Sequence, residues 1–93
     1  MNHAKLFKMV GYYISKFDLI VEDVRMSGSV LNIYVTRSSF YQAWTDIKPV
    51  FETSTIRTNY RGVKIQSFTR DYKIKLHKNI CVWCTTLTEE KIK

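Results

Sequence analysis

Four features of this sequence have residue types and spacing that could carry chemistry. They are a cysteine pair, Cys81-Val82-Trp83-Cys84; adjacent carboxylates, Glu22 and Asp23; a histidine, His77; and the basic run from Arg57 to Trp83 that contains it. A structural zinc ion takes four ligands, normally from two cysteine pairs, and here only His77 and His3 are on hand to complete the set. A thioredoxin-like pair needs its first thiol at a helix start, whereas these cysteines fall in a strand pattern and, three apart, face opposite sides. They read as buried free thiols. Glu22 and Asp23 also point to opposite faces of a strand and do not converge for acid–base work. His77 has no evident nucleophile partner, and the three glycines, Gly11, Gly28 and Gly62, build no phosphate loop. The expectation is a non-enzymatic protein with no metal and no cofactor.

The basic run is the informative stretch. Between Arg57 and Trp83 stand seven Lys or Arg and one acid, Asp71, which together supply most of the chain's formal charge of +7. From Tyr72 the pattern alternates: Tyr72, Ile74 and Leu76 share one side of a strand, Lys73, Lys75 and His77 the other. Lys78-Asn79 reads as a two-residue turn, after which Ile80, Val82 and Cys84 alternate with Cys81, Trp83 and Thr85. Upstream, Tyr60-Arg61-Gly62 turns a strand from Ile56 to Asn59 into one from Val63 to Thr69. With Val63 and Ile65 facing inward, the outer face is expected to hold Arg57, Lys64, Phe68, Arg70, Lys73, Lys75, His77 and Trp83. Cations interleaved with aromatics suit a nucleic-acid surface, the cations meeting phosphate and the rings meeting bases. Arg61-Gly62-Val63-Lys64-Ile65-Gln66-Ser67-Phe68 shares its opening and final residues with the strand signature of RNA-recognition motifs. The two central aromatic positions are Val63 and Ile65, so that motif's stacking rings are missing.

The elements that must position this face follow from periodicity. Asn2 caps a helix from about His3 to Phe17, with Leu6, Val10, Tyr13, Ile14 and Phe17 as its apolar stripe and Lys5, Lys8, Tyr12 and Lys16 opposite. Asp18 to Arg37 is an acidic hairpin turning at Ser27-Gly28-Ser29, with Leu31, Ile33 and Val35 alternating against Asn32, Tyr34 and Thr36. Ser38 or Ser39 opens a second helix, with Phe40, Ala43, Trp44 and Ile47 apolar and an end at Lys48, before Pro49. The fold class expected is α+β: helix, hairpin, helix, then two hairpins, an antiparallel sheet with the helices on one face. Residues 1–88 make one domain, and residues 89–93 a frayed tail.

Composition bounds the rest. With 93 residues, 45% apolar and 25% charged, the chain is of ordinary globular make-up. No apolar run approaches the roughly 18 residues that span a bilayer, and no signal-peptide pattern opens the chain, so a cytoplasmic location off the membrane is expected. Two alanines, three glycines and one proline stand beside abundant Lys, Ile, Thr, Tyr and Phe, the usage of AT-rich codons. In composition and size the chain resembles small accessory proteins of T-even-like phages, a group that includes RNA-binding antagonists of host toxin–antitoxin systems. That resemblance implies a host-directed role in the host cytoplasm. The residues themselves point to nucleic acid, RNA before DNA, as partner. An acidic host protein is the alternative, and a two-fold homodimer would double the basic surface.

Overall fold

The computed structural model describes residues 2–92. The elements run α1 (His3–Phe17), β1 (Val21–Ser27), β2 (Val30–Val35), α2 (Arg37–Ala43), β3 (Phe51–Thr58), β4 (Lys64–His77) and β5 (Ile80–Lys91). The class is α+β, with one five-stranded sheet in the order β1-β2-β5-β4-β3. The sheet is mixed, not antiparallel as expected: β2 and β5 run parallel, Leu31 beside Ile80 and Ile33 beside Val82. Tight turns such as Gly28-Ser29 and Lys78-Asn79 impose antiparallel pairing only on the strands they join. The join between β2 and β5 is non-local. It is set by two central strands that each offer a fully buried alternating row.

α1 forms as its sequence dictates. The Asn2 side chain accepts from the Lys5 N–H at 2.8 Å, and Asp18, left-handed at φ 53°, closes the other end. α2 starts earlier and stops sooner than expected. Its cap is Thr36, whose hydroxyl accepts from the Ser39 N–H, and Trp44 is already extended. Ser39 falls inside the helix, where its buried hydroxyl accepts from the Ile20 N–H at 3.1 Å and ties α2 to the entry of β1.

The core joins Leu6 and Val10 of α1, Phe40 of α2, Leu31, Ile33 and Val35 of β2, Ile80, Val82 and Cys84 of β5, and Tyr72 of β4. All of these strand residues lie on one side of the sheet, so both helices cover that side and the other is open. Trp44 packs on Phe17 and Phe40, with centroids at 5.0 and 5.2 Å, as a core anchor.

β4 is the element that overturns the expected surface. It is a single strand of 14 residues with no break between Thr69 and Tyr72, where two separate strands were expected. Its pairings with β3 and β5 are continuous in step until an irregularity between Lys75 and His77. The two expected hairpins are therefore one three-stranded meander. Glu89, Glu90 and Lys91, expected to fray, continue β5: Lys91 lies beside Ile65, and the Ile92 N–H donates to the Lys64 carbonyl at 3.0 Å. Lys93 lies outside the described residues. β3 and the residues Lys64 to Arg70 contribute nothing to the core. With the end of β5 they form an arm that gives the described residues a length of 54 Å against a width of 27 Å.

Candidate nucleic-acid interface

Since side chains alternate along a strand, an uninterrupted β4 has one consistent parity. Tyr72 and Ile74 face the helices, so Arg70, Phe68 and Lys64 share their side. Lys73 and Lys75 face the open side, and Trp83, paired with Lys73, joins them there. Arg57 is also on the open side, beside Ile65. It stands eight residues along β4 from Lys73, roughly 26 Å away. The expected eight-residue face is thus split four ways: Lys73, Lys75 and Trp83 together, Arg57 apart on the arm, Lys64, Phe68 and Arg70 behind, and His77 at the turn that ends β4. His77 sits at the last turn, where its Nδ1 accepts from the Asn79 N–H at 3.2 Å.

Several of these charges are already engaged. Arg70 donates to Glu52 at 3.0 Å and to Thr88 at 3.3 Å, and its guanidinium lies 5.2 Å over the Phe68 ring. Arg57 pairs with Glu89 at 3.0 Å. Asp71 accepts from the Thr85 hydroxyl at 2.7 Å within the open face. That face is consequently mixed in charge, not simply basic. Lys73 and Lys75 make no ion pair among the described residues.

Around Trp83 the open face assembles what sequence reasoning missed. Tyr34 of β2 lies nearly parallel to the indole, with centroids at 6.4 Å and an angle of 17°. Phe51, at the start of β3, does the same from the other side at 6.4 Å and 7°. The Lys73 ammonium sits 5.4 Å over the indole, and the Arg25 guanidinium 5.4 Å over the Tyr34 ring. A ladder of three rings with two cations therefore crosses the sheet from β1 to β3. The indole is fixed in place, for Trp83 Nε1 donates to Asn32 Oδ1 at 2.8 Å. Two alternations in the sequence, Asn32-Tyr34 and Trp83-Thr85, already placed Tyr34 and Trp83 on outward rows. What was missing was the parallel join that lays those rows side by side.

Beside the ladder, next to β1, a cleft of about 360 Å3 is lined by Glu22, Asp23, Arg25, Tyr34, Trp83 and Thr85, among others. Asp23 accepts from Arg25 Nε at 2.7 Å and from the Val24 N–H at 2.9 Å. The Arg25 bond first, and the Val24 N–H second, hold its carboxyl below the usual carboxylate range.

The cysteines occupy opposite rows of β5, Cys81 on the open side and Cys84 in the core, both buried and free. No group of three His, Cys, Asp or Glu among the described residues gathers to hold a metal ion. The strip of Lys5, Lys8 and Lys16 belongs to α1, on the layer opposite the ladder. There Lys16 lies 5.4 Å over the Phe17 ring, and a shallow cleft of about 420 Å3 is lined by Lys5, Lys8, Met9, Tyr12 and Tyr13. No helix among the described residues is long and apolar enough to cross a membrane. Comparison with protein-family models, curated proteins and solved structures found no match.

Proposed function

We propose that the protein binds single-stranded RNA on its open sheet face, without catalysing a reaction, as an accessory protein acting on a host factor. The observation that carries this reading is the Tyr34–Trp83–Phe51 ladder with Lys73 over its central ring. Aromatic faces reward unstacked bases, and the Lys73 ammonium over the central ring is placed to meet the phosphate that follows a base. Lys75 extends the cationic edge, and a two-fold dimer would offer two such faces to one strand.

The test is a salt titration of labelled single-stranded and duplex RNA against the wild type and the Lys73→Ala/Lys75→Ala double variant. Each phosphate contact on a single strand contributes about 0.7 to the slope of log affinity against log salt, so losing two should flatten it by about 1.4. A double variant that binds like the wild type at every salt concentration would refute the reading. The α1 strip of Lys5, Lys8 and Lys16, far from the ladder, favours a second reading in which an acidic protein docks on the helical layer. A pull-down that survives ribonuclease and is lost on changing those three lysines would support it.

A further inference from the structure

We propose that the cleft between β1 and Trp83 is a base slot selective for guanine. This rests on the open face being the RNA site and adds which base that site prefers. The wall of the slot is the ring pair Tyr34 and Trp83, on which any base would stack. Selection comes from two charged side chains in the cleft that offer opposite hydrogen-bonding characters.

Arg25 supplies donors. Asp23 Oδ2 takes its Nε, and the guanidinium lies over Tyr34, so the side chain is oriented by both an ion pair and a ring. Its two terminal nitrogens make no hydrogen bond among the described residues and form a planar fork close to the Tyr34 ring. Such a fork matches two adjacent acceptors, and guanine offers these as O6 and N7. Adenine places its N6 amino donor where O6 would be, and so repels one arm of the fork.

Glu22 supplies acceptors. Unlike Asp23, it enters no ion pair among the described residues. It sits where the β1–β2 pairing slips between Val21 and Asp23, an irregularity that takes it out of the ladder and into the lining of the cleft. A carboxylate with both oxygens available matches two adjacent donors, and the Watson–Crick edge of guanine carries them as N1–H and the N2 amino group. Adenine and cytosine have a single amino donor beside a ring acceptor, and uracil a single N3–H between two carbonyls. Guanine alone sets an acceptor pair beside a donor pair. One cleft with an oriented arginine and an unengaged carboxylate therefore suits it better than the other three.

The experiment measures binding of five-nucleotide RNAs that differ only at the centre of a uridine run: guanosine, adenosine, cytidine, uridine, inosine or 7-deazaguanosine. The wild type should hold the guanosine strand about tenfold more tightly than the adenosine, cytidine and uridine strands. Inosine lacks the N2 amino group and 7-deazaguanosine lacks N7, so each should fall between these limits. Glu22→Gln should erase the difference between guanosine and inosine, and Arg25→Lys, which keeps the charge but not the fork, the difference between guanosine and 7-deazaguanosine. Circular dichroism of both variants checks that the fold is retained, and both positions are exposed. Equal, salt-dependent binding of all six strands would overturn the guanine slot and leave RNA binding standing. A preference that survives both substitutions would also overturn it. Absence of binding to every strand would overturn the slot together with the function on which it rests.

Discussion

The split of the expected basic face makes opposite forecasts for two aromatic residues that the sequence placed together. Trp83 stands at the centre of the ladder on the open side, whereas Phe68 lies behind the sheet under the Arg70 guanidinium. Trp83→Ala removes the central stacking surface and the ring beneath Lys73. One stacked base is worth about 1–3 kcal/mol, so affinity for a single strand should fall by about 5- to 150-fold. The salt slope should stay nearly constant, because no phosphate contact is removed. Phe68→Ala should leave affinity within about twofold, since its ring faces away from the strand. The indole is also half-buried and bonded to Asn32, so the alanine variant loses stability too. Trp83→Phe controls for this: it keeps a ring on the ladder and should recover most of the binding while lacking the Asn32 bond. The assay is fluorescence anisotropy with labelled single-stranded RNA at four salt concentrations, with urea denaturation of each variant alongside. If Phe68→Ala weakens binding as much as Trp83→Ala does, the uninterrupted parity of β4 is wrong and the interface with it.

Phe40, with 0% of its surface exposed and ring neighbours Trp44 at 5.2 Å and Tyr72 at 6.1 Å, anchors α2 on the sheet. Phe40→Ala should cost about 3–5 kcal/mol in urea denaturation with an unchanged m-value, and a loss under about 1 kcal/mol would contradict the packing described. Thr36→Ala removes the cap of α2 and should cost about 0.5–2 kcal/mol, with Thr36→Ser restoring most of it. Burial raises the Cys84 thiol above its ordinary range. The folded state then keeps a proton that the unfolded state gives up. Its contribution to stability is full below the ordinary cysteine value of about 8.5 and is lost as pH rises towards the raised folded value. The denaturation midpoint should therefore fall more between pH 7.5 and pH 10 for the wild type than for Cys84→Ala, and parallel pH profiles would remove the thiol from the explanation.

Elements set by local chemistry were legible in the sequence. The Asn2 cap and the Leu6–Val10–Ile14 spacing gave α1 its observed bounds, and the Lys78-Asn79 turn falls where alternation broke. Burial on one face gives alternation its meaning, and that condition fails on the arm. By composition Val63 and Ile65 read as an inward row like Tyr72 and Ile74, although the two rows have opposite parity and can coexist only across a break. No glycine or proline between Thr69 and Tyr72 supplies one, and that mismatch was the available signal. The α2 boundary moved because Thr36 offers its hydroxyl one turn ahead of Ser39, whose own hydroxyl is spent on Ile20. Phe51 was invisible because β3 is exposed along its whole length and carries no pattern. The ring ladder needs β2, β5, β4 and β3 in their final order, which no local pattern encodes.

The central place of β5 in the sheet also governs when the fold can form. The bond from Trp83 to Asn32 spans 51 residues, and β5 is the latest made of the five strands. Until it inserts beside β2, the apolar row of Leu31, Ile33 and Val35 has no strand to continue it towards β4. A growing chain that has passed α2 but not reached Ile80 therefore leaves the backbone edge of β2 unpaired, open to water and to other chains. Completion of the core is consequently a late, non-local event, with the slow loop closure that such pairings impose. During synthesis a ribosome stalled over the β4 codons therefore holds a partly built sheet whose β2 edge can pair with other chains until β5 fills it.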